Sequence, residues 1–277
     1  MFVCICYIAL QTYIVKIISI INKKGGCTKT TTCIHMAAYL ARRGSKVLVI
    51  DFESQRNLST GYGIPEDYPY TVFDILNGKE GLRLVNKKRN LYILAGSDLI
   101  DTKLFAMDIL KKRLVVLEKL FREQNGITFD YCLIDCSPSD LKNKYDEKGK
   151  LLPKLNQIAL CASNSFLVPL VHEEYSVVGL EKFMYDAAQF KKEFNPGLKV
   201  AGVFFNRVEV NTRNFKKYYA DVQEDVPEEY FIKTFVRKDA RIGDAVKAGE
   251  SIFEVAPKSR AAKDFSKLCR EMLNNIN

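Results

Sequence analysis

Along the chain, short apolar runs alternate with longer stretches whose apolar residues recur at helical spacing, the pattern of strand–helix–strand units built on a parallel sheet. The runs predict strands at Ile14 to Ile21, Lys46 to Asp51, Leu91 to Leu94, Asp130 to Asp135, Ser165 to Leu170, Val200 to Asn206 and Phe231 to Val236. Helical periodicity falls between them near 29–43, 101–124, 154–163, 174–194, 211–224, 239–247 and 258–275. The expected fold is therefore α/β: a doubly wound, mostly parallel sheet with helices on both faces. No internal repeat or low-complexity tract breaks the alternation. The 277 residues suit one large domain, because single cores grow to about 250–300 residues before splitting, and we read 14–277 as that domain.

Two segments depart from the rhythm. Residues 1–21 are apolar apart from Gln11, Thr12, Lys16 and Ser19 and would pass a hydropathy scan. Lys16 does not exclude a membrane span, since its cost of about 2.5–3.5 kcal/mol is offset by several Ile or Leu residues. Geometry does: the strand that must precede the loop described below claims roughly residues 14–21, and residues 1–13 are left as an apolar N-terminal extension too short to span a bilayer. They lack the charge and cleavage pattern of a signal peptide. Leu141 to Leu152, with four lysines, Asp146 and Glu147, reads as a polar surface insertion.

Charge adds a preference for partners. Lys and Arg outnumber Asp and Glu by 42 to 33, a net charge of +9, which favours a polyanion such as nucleic acid or an anionic membrane. The eight cysteines form no CxxC pair, so the usual metal-ligand spacing is absent and we read them as free thiols of a cytoplasmic protein.

The chemistry sits in Lys24-Gly25-Gly26-Cys27-Thr28-Lys29-Thr30-Thr31. A strict GxxxxGK[ST] scan fails, because Lys23 and Thr28 occupy its outer glycine positions. The physical parts of a phosphate loop are nonetheless present. After an apolar strand come two glycines where the backbone can approach phosphate, then Lys29 as a point charge and Thr30 as a hydroxyl ligand for magnesium, at the N-terminus of a helix. Two further strands, Val47 to Asp51 and Tyr131 to Asp135, each end in an acid at the sheet edge where open α/β folds bind ligands. Magnesium is commonly held by one or two carboxylates together with phosphate oxygens.

These residues resemble the ParA/Soj family of partitioning ATPases, within the deviant Walker A group that includes MinD, over nearly the whole chain from Val15 to Leu273. Lys24-Gly25-Gly26 with Lys29-Thr30-Thr31 is similar to the family's KGGxxK[ST]T loop. Asp51 to Gln55 is similar to its DxDPQ element, Asp135 to Ser139 to DxPPS, Val168 to Leu170 to the following strand end, and Val236 to Ala245 to IPRNxRLxEA. The resemblance implies ATP and Mg2+ as cofactors, with Lys24, Gly25, Gly26, Cys27, Thr28, Lys29, Thr30, Thr31 and Asn206 on the nucleotide. It implies that Lys24 reaches a partner subunit's phosphates, that Asp51 positions the attacking water, and that Thr30, Asp51 and Asp135 serve the metal. Asn206 resembles an adenine-contacting Asn. Thr28 stands where the family carries Gly, Glu53 replaces Asp, Ser54 replaces Pro and Arg237 replaces Pro.

Function follows as an expectation from the same resemblance: an ATPase that forms a homodimer on binding ATP, binds DNA nonspecifically on the nucleoid, and is released when a ParB-like or centromere-binding adaptor stimulates hydrolysis. Arg213, Lys216, Lys217, Lys238 and Arg241 are the candidate DNA contacts. A family relative that positions a protein cargo is the alternative, as is a MinD-like membrane-cycling regulator, which is expected to end in a basic amphipathic helix. The last residues, Arg270 to Asn277, do not continue into one.

Overall fold

The computed structural model describes residues 15–172 and 174–276; the extension at 1–13 and Ile14 lie outside them. One sheet holds seven strands in the order β3-β4-β2-β5-β1-β6-β7: β1 Lys16–Ile20, β2 Val47–Phe52, β3 Val85–Lys88, β4 Leu91–Leu94, β5 Tyr131–Cys136, β6 Ser165–Leu170 and β7 Lys199–Phe205. All neighbours pair in parallel except β3 with β4.

Alternation along each strand sends successive side chains to opposite faces, and each face is covered. On one, Ile18, Ile20, Val47, Val49, Ile93 and Leu133 pack with α1 Lys29–Arg42 and α10 Arg260–Ile276. On the other, Leu48, Ile50, Leu94, Ile134 and Val168 pack with α4 Ile109–Asn125, α5 Leu155–Ala162, α6 Glu174–Phe194 and α7 Arg213–Asp225. The short helices α2 Asn57–Gly61, α3 Val72–Leu76, α8 Ala240–Lys247 and α9 Ile252–Val255 complete the shell. The doubly wound α/β expectation holds. The six described cysteines are buried and none is in a disulfide. Among the described residues no helix is long and apolar enough to cross a membrane.

Three expectations need correction. Phe231 to Val236 runs beside β7 but is not a ladder strand; one bridge, Val203 to Phe231, joins it to the sheet, and the Val236 amide donates to the Phe205 carbonyl at 2.9 Å. Its middle is claimed by a side chain, because Glu271 of α10 accepts from the Thr234 amide at 3.1 Å and from its hydroxyl at 2.5 Å. The helix expected over 101–124 begins only at Ile109, since Asp98–Thr102 forms a 3₁₀ turn capped by Ser97, whose Oγ accepts from the Leu99 amide at 3.2 Å. The antiparallel edge strand β3 was not anticipated: with alternate residues exposed and two lysines in four positions, it lacks an apolar run. Leu141 to Leu152 is the expected polar excursion, a small hairpin closed by a Tyr145 to Leu151 bridge.

Candidate functional site

The loop after β1 is pinned at its start. Asn22, buried behind it, donates from Nδ2 to the Pro169 carbonyl in β6 at 2.9 Å and accepts the Lys24 amide on Oδ1 at 3.0 Å. Gly25 and Gly26 are exposed and a Cβ on either would meet nothing within 4 Å; Gly26 has φ 72°, so the backbone itself presents the surface. Thr28 is also left-handed, at φ 62° and ψ 24°, where a non-glycine residue costs about 1–2 kcal/mol. Bonds to both sides hold it there: its hydroxyl donates to the Cys27 carbonyl at 2.6 Å, and its carbonyl accepts the Thr32 hydroxyl at 2.7 Å. The position that departs from the family's glycine thus keeps a glycine-like conformation.

α1 opens at Lys29 with no acid in its first turn, which leaves its terminal amides to attract an anion. Lys29 is only 6% exposed and donates from Nζ to the Lys24 carbonyl at 3.2 Å, so its ammonium is held inside the loop. Lys23, at the first glycine position of the generic motif, lies against α6: a Cβ on Gly179 would come within 2.6 Å of its Cε.

Beneath the loop, Asp51 of β2 and Asp135 of β5 are register partners on adjacent strands, both fully buried. Ser59 of α2 donates to Asp51 Oδ2 twice, from its amide at 2.8 Å and its hydroxyl at 2.7 Å. Asp51 Oδ1 and both oxygens of Asp135 have no hydrogen-bond partner; Thr30 is near enough to ease the Asp135 charge without closing a hydrogen bond. Burial pushes Asp51 up to about 6 against the Ser59 bonds, and burial, then the Asp51 charge, pushes Asp135 well above the carboxylate range. Three buried carboxylate oxygens without donors are costly and are what a divalent cation and its waters would satisfy. Magnesium sites are commonly finished by phosphate oxygens beside one or two carboxylates.

Above them lies a cleft of about 570 Å³ lined by residues 25–31, by Glu53, Gln55 and Asn57, by Asn206 and Arg207, and by residues 238–240, 242 and 243. Asn206, at the end of β7, donates from Nδ2 to the Thr32 hydroxyl at 3.1 Å and accepts the Arg207 amide at 2.7 Å. Lys238 lines the cleft and pairs with Glu209, while Arg241 makes a two-bond fork with Asp239 at 2.8 and 2.6 Å. Arg213, Lys216 and Lys217 lie apart on the exposed side of α7, with no acidic partner among the described residues.

Sequence reasoning missed Ser59 and Gly96. Ser59 acts only because α2 packs against the end of β2. A Cβ on Gly96 would lie 2.7 Å from Asp51 Cγ and Oδ2, so Gly96→Ala is expected to lower stability by about 1–3 kcal/mol, as overpacking does. Urea unfolding of the two proteins measures it, and equal midpoints would refute the close approach.

The chain matches the AAA domain family AAA_31 over residues 15–200. It is 30% identical to the sporulation initiation inhibitor protein Soj of Bacillus subtilis, covering 94% of this chain and 99% of that one. It is 29% identical to the chromosome-partitioning ATPase Soj of Treponema pallidum, covering 93% and 97%. Its fold is similar to cobyrinic acid a,c-diamide synthase of Mycobacterium smegmatis, solved with bound ATP analog and magnesium, at a TM-score of 0.73 over 94% of this chain and 95% of that one; at 22% identity that likeness carries the fold alone.

Proposed function

We propose that this chain, which belongs to the Soj/ParA family of partitioning ATPases, is an ATP-driven switch that dimerises around nucleotide, binds DNA without regard to sequence, and segregates a plasmid or chromosome. Residues 14–277 act as one ATPase domain, and ATP and Mg2+ are its cofactors. The observation that supports this best is the trio of buried, donorless oxygens on Asp51 and Asp135 directly below the glycine loop.

Each residue has a task that its position permits. Residues 25–31 cradle the phosphates with backbone amides, and Lys29 exchanges the Lys24 carbonyl for a phosphate oxygen. Thr30 and Asp135 would hold the cation. Magnesium held there would supply charge neutralisation at the phosphoryl group. Ser59 fixes Asp51 by Oδ2, leaving Oδ1 to orient the attacking water. Asn206, in the cleft wall, would contact the base, and Lys24 serves the partner subunit's phosphates. Localisation follows the DNA: cytoplasmic, on the nucleoid, until a ParB-like adaptor speeds hydrolysis and releases the dimer.

Of the five candidate DNA contacts, Lys238 and Arg241 are occupied by Glu209 and Asp239. Arg213, Lys216 and Lys217 therefore carry most of the attraction. Replacing all three by alanine should weaken binding to every duplex sequence alike in the presence of ATP and reduce the salt slope by about two to three, near 0.9 per lost phosphate contact. Filter binding across a salt series tests this, alongside phosphate release with and without DNA. An unchanged slope would remove the α7 assignment, and wild-type protein indifferent to DNA would remove the partitioning reading.

A further inference from the structure

A second concentration of positive charge lies at the far end of α1. The helix has 14 residues, which at about 1.5 Å each put its C-terminus roughly 20 Å from the glycine loop. There a concavity of about 710 Å³ is lined by the end of α1, the turn between β3 and β4, and the stretch from Gly249 to Ser251. Six cations line it, Arg42, Arg43, Lys46, Lys87, Lys88 and Arg89, against two acids, Glu250 and Glu254. Both acids are taken, Glu254 by Arg42 at 3.4 Å and Glu250 by Lys88. Arg43, Lys46, Lys87 and Arg89 have no acidic partner among the described residues. One cleft thus holds a net four positive charges in a chain whose net charge is +9.

The cations are positioned by the fold and do not form one solvated helix face. The Arg43 guanidinium lies over the Tyr39 ring at 5.6 Å. Lys87 donates from Nζ to the Tyr62 carbonyl at 2.9 Å, and Gly249, at φ 70°, leaves it room: a Cβ there would stand 3.3 Å from that nitrogen. The apolar lining decides the class of ligand. Tyr62 and Leu91 are each 3% exposed, so no aromatic face is offered for base stacking and no large apolar side chain projects to enter a bilayer. What remains is recognition of phosphate charge along a backbone.

The geometry points to a second nucleic-acid site: this cleft grips the phosphate backbone of a duplex independently of α7, so that one chain holds two duplex segments. The test is bridging of two differently labelled duplexes, read by energy transfer between them, with ATP and at low salt. Arg43→Glu, Lys46→Glu and Arg89→Glu together should cut the bridging signal by about tenfold or more, the scale expected for three phosphate contacts. Hydrolysis without DNA should stay within about twofold, since none of the three touches the nucleotide cleft. The milder Arg43→Gln, Lys46→Gln and Arg89→Gln set should give a smaller loss at an unchanged melting temperature, which separates lost charge from lost fold. In the Arg213→Ala, Lys216→Ala, Lys217→Ala background, residual duplex binding should vanish when the three glutamates are added. Bridging equal to wild type in the glutamate variant would overturn this inference and leave the α7 reading standing. Binding through these residues to phosphatidylglycerol vesicles but not to duplex would overturn it too, in favour of a membrane surface.

Discussion

Lys29→Ala should reduce ATP hydrolysis by about 10²–10³-fold, the range seen when one preorganised electrostatic contact to a transition state is removed. The side chain is 6% exposed and its ammonium is already inside the loop, 3.2 Å from the Lys24 carbonyl. An anion entering the cleft meets a charge already inside the loop, which has only to leave the Lys24 carbonyl. No neighbouring lysine is set to take its place: Lys23 is packed against Gly179, and Lys24 is the residue proposed to serve the partner's nucleotide. Arginine should not restore activity either, since a planar guanidinium cannot occupy a pocket built around a compact ammonium. The fold should survive, because α1 is anchored by Cys33, Ile34, Met36, Ala37 and Leu40, each no more than 2% exposed. Single-turnover phosphate release together with a thermal melt decides the matter. Equal rates in wild type and variant would refute the ATPase assignment at this loop.

How much of this was legible beforehand follows from which interactions are local. The glycine loop, Asp51 and Asp135 were readable because a strand ending in an acid places it at the sheet edge whatever the register. Ser59 and Gly96 were not, since their meaning depends on α2 and the end of β4 meeting beside Asp51. The Phe231 to Val236 error has the same origin: its apolar run has strand composition, yet Glu271, 37 positions further along than Thr234, takes the central amide. Thr28 shows the reverse. Its departure from the expected glycine was visible in sequence, but only φ 62° shows that the loop keeps its shape and stores the strain. The basic cleft was invisible because its cations come from segments far apart in the chain, united by the β3 edge that lacked an apolar run.

Lowering the pH should cost this fold stability at His35, set against the gain from protonating the buried Asp51 and Asp135. The imidazole sits in α1 at 0% exposure, with its ring 4.7 Å from that of Phe265. Nδ1 accepts the Ile252 amide at 3.3 Å and Nε2 has no partner. Burial lowers its pKa to about 3, against about 6.5 in an unfolded chain. A folded-state pKa below the unfolded value means that the unfolded chain takes up the proton first. The contribution is therefore complete above pH 6.5 and is lost as pH falls from about 6.5 towards 3. At about 1.36 kcal/mol per unit, the His35 contribution should shrink by about 4 kcal/mol by pH 3.5, while the raised Asp51 and Asp135 return part of it. His35→Gln keeps an acceptor for the Ile252 amide but cannot titrate. Its urea midpoint should fall below wild type at pH 7, from imperfect packing, and then converge on or pass it as pH drops. Because carboxylates titrate alike in both proteins, the difference between the two curves isolates His35, and parallel curves from pH 7 to 3.5 would show that the buried imidazole does not carry this loss. The same bond ties the middle of α1 to α9, so acid should loosen the helix that carries Lys29 at its N-terminus, and nucleotide affinity should fall together with the midpoint.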